Sequence, residues 1–124
     1  MAIPLHALVL LLVSIGLGAG GQLMFKGAAS AMPPFAELGL WRLLAAMFTT
    51  PLILSGFTCF FISAVLWIIA LRSVPLSIAY PMVAMSYIII FTGSYFFFSE
   101  PITWKHLLGA LLIVSGVALI AWRG

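Results

Sequence analysis

Residues Leu5 to Phe25 read LHALVLLLVSIGLGAGGQLMF, with no Asp, Glu, Lys or Arg among them. A helix rises 1.5 Å per residue, so this stretch reaches about 30 Å, the thickness of a bilayer's hydrocarbon core. Three more apolar stretches follow, at about 50–71, 74–98 and 102–122. The runs are continuous and do not alternate, so they read as helices and not as strands of a membrane barrel. The expected fold is an all-α membrane protein: one domain over residues 1–124, four transmembrane helices and short loops. No basic stretch precedes the first span, so it is read as part of the mature chain and not as a signal peptide.

Composition points the same way. Hydrophobic residues make up 65% of the 124 positions and charged residues 6%, where a soluble domain carries about 25% charge. So few charges cannot cover the surface of a soluble domain, and disorder needs low hydrophobicity. The net charge of +3 is scattered, which leaves no footprint for nucleic acid. Cys59 stands alone, excluding an intramolecular disulfide and a multi-Cys metal site. No His, Cys or carboxylate pair has metal-ligand spacing, and no Ser-His-Asp or Cys-His set falls at one depth. A metal, a cofactor and catalysis are therefore not expected.

The longest connection runs from Gly27 to about Phe48. Met32-Pro33-Pro34 stops a helix there, and Phe35 to Leu44 fits a short interfacial helix with Trp41 and Arg42 at headgroup level. Arg72 to Pro75 turns span two into span three, and Ser99-Glu100-Pro101 precedes span four. Both termini then lie on one side, here side A, with Arg72 and Arg123. Side B carries Lys26, Arg42 and Lys105. This near balance gives almost no orientation signal. Noise in a small count and dual insertion both fit it.

Polar residues inside a span are costly and mark function by default. Gln22 and Lys26 are four apart, with Gly18 one turn earlier, and form one stripe of span one. Lys26 either snorkels to the surface or serves a substrate. Glu100 lies at similar depth on side B and could pair with it. In span three Ser77, Tyr80, Ala84 and Tyr87 share a face, and Pro81 leaves the Ser77 carbonyl bare, so a kink is expected there. The tyrosines line a site or belong to an aromatic belt. Gly16 and Gly20 in span one suit close packing, within the chain or against a second one. Gly109 and Gly116, seven apart in span four, suit internal packing or a dimer seam. Four helices give too few walls for a transport path, and no internal repeat is visible. A second copy or a paralogue is expected to supply the rest, as homodimer or heterodimer.

Val74-Pro75-Leu76-Ser77-Ile78-Ala79-Tyr80-Pro81, then Ser99-Glu100-Pro101-Ile102, then Gly109 and Gly116-Val117, resemble the drug/metabolite transporter superfamily, in its four-span small multidrug resistance branch. That branch dimerises through its last helix, which the resemblance implies for Gly109 and Gly116. It carries a glutamate in the middle of helix one, and alignment on Lys26 puts Gly18 at that place. Closer still is the similarity to the subunits that flip 4-amino-4-deoxy-arabinose–phosphoundecaprenol. Their pattern is matched by Gly21-Gln22-Leu23-Met24-Phe25-Lys26, Leu66-Trp67, Val74-Pro75, Ile78-Ala79-Tyr80-Pro81 and Glu100-Pro101.

The resemblance implies a flippase of a polyprenyl-phosphate-linked monosaccharide in a bacterial inner membrane, surrounded by membrane lipids. Candidate substrate-binding residues are Gln22, Lys26, Tyr80, Tyr87 and Glu100. A cationic Lys26 beside an amide suits a phosphate and hydroxyls, and Gly18 leaves room where a carboxylate would repel them. The other readings are a proton-coupled exporter of small drugs or metabolites and an accessory subunit of a heterodimeric transporter.

Overall fold

The computed structural model describes residues 3–122; Arg123, counted above on side A, lies outside them. Among these residues the chain forms helices and no strand. They are α1 (Leu5–Ala31), α2 (Phe35–Thr49), α3 (Pro51–Leu71), α4 (Leu76–Val83), α5 (Ser86–Phe98) and α6 (Trp104–Ala121). Four units are long and apolar enough to cross a membrane: α1, α3, α4 with α5, and α6. The protein is an all-α, multi-pass membrane protein.

The first span continues past Phe25, because nothing from Lys26 to Ala31 breaks a helix. The Ser30 hydroxyl even donates back to the Lys26 carbonyl at 2.8 Å. What ends α1 is Pro33, which drives the residue before it out of the helical region. Met32 is accordingly extended, with φ −84° and ψ 145°. At 1.5 Å per residue α1 is about 40 Å long, more than the hydrocarbon needs, so it tilts or protrudes on side B.

The interfacial helix runs five residues beyond Leu44, to Thr49, and is broken at Gly39, whose φ of 74° only glycine adopts cheaply. Trp41 is 81% exposed, as a headgroup anchor would be. Span four starts at Trp104 rather than Ile102. Thr103 caps it, with its backbone N–H donating to His106 Nδ1 at 3.1 Å. This capping box holds residues 102 and 103 outside the helix.

The third span is two helices. The helical backbone runs through Pro81, which has no N–H to give the Ser77 carbonyl, and gives way at Ala84 and Met85, where three-residue bonds take over: Met85 N–H to the Met82 carbonyl, Tyr87 N–H to Ala84 and Ile88 N–H to Met85. The interruption therefore lies one turn beyond the proline.

The packing is uneven. α1 and α3 lie against each other along most of their length. The buried apolar cluster joins Ala7, Leu11 and Ile15 of α1 to Ala70 at the end of α3, to Val74 in the turn that follows, and to Ala79 and Met82 of α4. It therefore sits toward side A. No residue of α6 is buried.

Candidate functional site

Close approach of α1 and α3 opens a cavity instead of filling the space between them. The tightest point is Gly21 against Gly56. A Cβ on Gly21 would lie 3.0 Å from the Gly56 carbonyl, and one on Gly56 would lie 2.7 Å from the Phe25 ring. Small residues are what allow such contact in lipid, where apolar side chains have no water to escape. Gly16 and Gly20 play no such part: a Cβ on either meets nothing within 4 Å. They stand on α1 where no neighbour reaches them, which spacing alone does not reveal.

Toward side A from the Gly21–Gly56 contact, two serines tie the helices together. Ser14 Oγ donates to the Ser63 carbonyl at 2.7 Å, and Ser63 Oγ donates to the Ser14 carbonyl at 2.7 Å. Each hydroxyl satisfies the other helix, so neither is stranded in hydrocarbon.

Beside this tie lies a cavity of about 320 Å³. Ser14, Gly18 and Gln22 line it from α1, and Phe60, Ser63 and Trp67 from α3. Val83 and Ser86 close it from either side of the α4–α5 interruption. These positions are near the middle of each helix, so the cavity sits near mid-membrane. Irregular backbone at that depth is tolerated where it borders a cavity. Gly18 contributes space: a Cβ there would come within 3.3 Å of Ser63 Oγ. The lining holds hydroxyls and one amide but no ionisable side chain.

The ionisable groups stand at the side-B end of the same α1 stripe. Lys26 Nζ is 3.7 Å from Glu100 Oε1, with both side chains about half exposed. A left-handed Ser99 (φ 54°) ends α5, and the Glu100 N–H returns to the Ser94 carbonyl at 3.2 Å. That sharp turn brings Glu100 back toward α1. A pair this exposed contributes about 0–1 kcal/mol, so opening it costs little.

The predicted residues thus fall into three places. Gln22 lines the mid-depth cavity, and Lys26 with Glu100 forms the side-B pair. Tyr80, Pro81, Ala84 and Tyr87 line a separate groove of about 510 Å³, which shares Val83, Ser86 and Ile90 with the cavity. Gly109 and Gly116 meet nothing within 4 Å in the chain. Ser14, Ser63 and Ser86 were not among the candidate site residues, and Trp67 entered only through the Leu66-Trp67 pattern of the resemblance. Ser14 had a signal, since it extends the Gly18–Gln22 stripe by one turn. Ser63 had none, because its partner lies 49 residues away. Among the described residues no group of three His, Cys, Asp or Glu could hold a metal ion.

Comparison with known proteins bears on the chemistry of this arrangement. The model of the EamA-like transporter family matches residues 5–122. The chain is 35% identical over 115 residues to a Klebsiella pneumoniae protein named a probable 4-amino-4-deoxy-L-arabinose-phosphoundecaprenol flippase subunit, ArnF, covering 90% of this chain and 91% of that one. An Enterobacter protein named as the ArnE subunit is 37% identical over 112 residues, covering 90% and 94%. An Erwinia tasmaniensis ArnF is 32% identical over 119 residues, covering 93% and 94%. No solved structure matches the chain.

Proposed function

The chain belongs to the EamA-like transporter family, and we propose that it is one subunit of a flippase. Its substrate is a polyprenyl-phosphate-linked monosaccharide of the aminoarabinose kind, moved across a bacterial inner membrane. The observation that carries this reading is the α1 stripe. It offers a cation at the side-B mouth, an amide one turn deeper, and then a largely apolar cavity at mid-depth that carries a few hydroxyls and no carboxylate. An anionic, hydroxyl-rich head fits that order of groups. The phosphate competes with Glu100 for Lys26, and a charge-assisted hydrogen bond of about 1.5–3 kcal/mol exceeds what the exposed pair offers. The sugar hydroxyls then meet Gln22 and Ser86, while Gly18 leaves them room. Exchange of a cation for protons would need an ionisable group where the cation binds, and the cavity lining has none.

The second half of the path comes from a partner. α6 has no buried residue, and relatives of similar identity carry the names of two different subunits, ArnE and ArnF. A paralogous four-helix chain is the partner this supports, with α6 facing it. Catalysis plays no part in this reading.

Reconstitution in liposomes, with and without the paralogous chain, tests it by scoring which headgroups cross. Lys26→Ala should lower flipping about tenfold or more while the protein still purifies as a folded species, and Lys26→Arg should retain part of the activity. Normal flipping by the Lys26→Ala protein would return Lys26 to a snorkelling role and remove the reading.

A further inference from the structure

A different cavity, of about 230 Å³, lies on side B where α1, α2 and α3 meet. Phe25, Ala29, Met32, Met47, Ile53 and Phe57 line it, and none of them is polar. The geometry points to this crevice as the seat of the first isoprenoid units of the substrate's tail, next to the phosphate held at Lys26. The inference rests on the reading of the chain as a flippase of a lipid-linked sugar.

Depth and direction carry the argument. Phe25 and Ala29 present one face of α1 to the crevice, and Met32 reaches it from just past the helix end. Lys26 lies on the same two turns, only about 60° round the helix from Ala29. The cation and the apolar crevice are therefore neighbours at one membrane depth, in the arrangement an amphiphile with a phosphate beside its tail requires. The crevice is also bounded by Met47 of α2, the helix whose exposed Trp41 anchors it at headgroup level. It thus begins just below the interface, where the tail carbons nearest a phosphate must lie.

The walls suit a branched hydrocarbon. The Phe25 ring is set edge-on to Phe57 at 5.0 Å and stacked on Phe60 at 5.4 Å. Met32 and Met47 are unbranched and adapt to an irregular chain. Phe60 also lines the mid-depth cavity. The Phe25–Phe60 stack is therefore a partition, with the cavity that holds Gln22 and the serine hydroxyls on one side and a crevice without polar side chains on the other. Two seats for two ends would hold the tail near the interface while the head crosses.

The test uses undecaprenyl phosphate, without a sugar, carrying a photoreactive diazirine in its phosphate-proximal isoprene units. It is added to the purified full chain in lipid nanodiscs. Labelling is expected on the peptides that hold Met32 and Met47. Ala29→Trp fills the crevice from α1 and Met47→Trp fills it from α2. Either should reduce that labelling about tenfold, the burial of about two methylenes, in protein that elutes as wild type does. Flipping of the sugar-bearing lipid is scored in parallel in liposomes that also hold the paralogous chain. Active protein labelled only elsewhere, such as in the Tyr80–Tyr87 groove, would overturn the crevice and leave the flippase reading standing. Labelling abolished by an equal amount of phosphatidylglycerol would show a seat for ordinary lipid and would also overturn it. Absence of both labelling and flipping would overturn the two readings together.

Discussion

The α1–α3 seam and the outer face of α6 both carry glycines at helical spacing, yet their surroundings differ completely. On the seam, Gly21 and Gly56 bring two backbones together, and a Cβ on Gly56 would strike the Phe25 ring at 2.7 Å. On α6, Gly109 and Gly116 meet nothing within 4 Å, and no residue of the helix is buried. Since apolar side chains gain nothing by leaving lipid for a helix interface, small residues matter only where another backbone arrives. On the seam that backbone belongs to the chain itself. On α6 it must come from another chain or be absent. The contrast separates what holds the subunit together from what pairs it.

Breaking the seam should have the largest effect. Gly56→Leu must displace Phe25 and the Gly21 backbone. We expect a cost of about 3 kcal/mol or more, seen as loss of monodisperse protein in detergent. Wild-type yield and elution from this variant would show that the seam has slack. Next in size is the change on α6. Gly109→Leu and Gly116→Leu should purify normally as single chains but associate about tenfold more weakly with a partner in native membranes. Unchanged cross-linking there would move the pairing surface off α6, whereas misfolding would mean that α6 packs internally after all.

Smaller effects sharpen the comparison. Ser63→Ala removes one arm of the Ser14–Ser63 tie and should lower thermal stability by about 0.6 kcal/mol, with about 1.7 kcal/mol as an upper bound. A loss above that bound would make the serines, not the glycines, the main fastening of the seam. Gly20→Ala, a glycine on α1 without a neighbour, should leave stability unchanged or raise it by at most about 1 kcal/mol. A clear loss there would place a second contact on the back of α1.

Much of this was legible in the residues. The stripe of Gly18, Gln22 and Lys26 needs only helical periodicity, and the structure sets it along one path from cavity to side-B pair. Residues far apart in the chain were not legible in the same way. Lys26 and Glu100 could be placed at one depth by counting, but only the left-handed turn at Ser99 turns the carboxylate back toward the amine. Pro81 announced an irregularity in span three, but the bonding fails at Ala84 and Met85, where the chain also borders the cavity.

The sequence by itself determined that the protein is a set of four membrane-crossing helices. Hydrocarbon leaves backbone groups no partner but their own segment, so a long apolar run without charge has one outcome. It also set the last point at which α1 could end, six residues beyond the expected Phe25, since a proline excludes the residue before it from the helix wherever the chain is placed. Only the tertiary structure decided which of the equivalent-looking glycines bear a neighbour, that Ser14 meets Ser63, and that the mid-depth cavity and the side-B crevice share the Phe25–Phe60 wall. Local composition acts through backbone geometry and transfer out of water, and is written residue by residue. Contact between helices depends on rotation about their axes, and the spanning helices are apolar round most of their circumference, so hydrophobicity alone does not fix that rotation in advance.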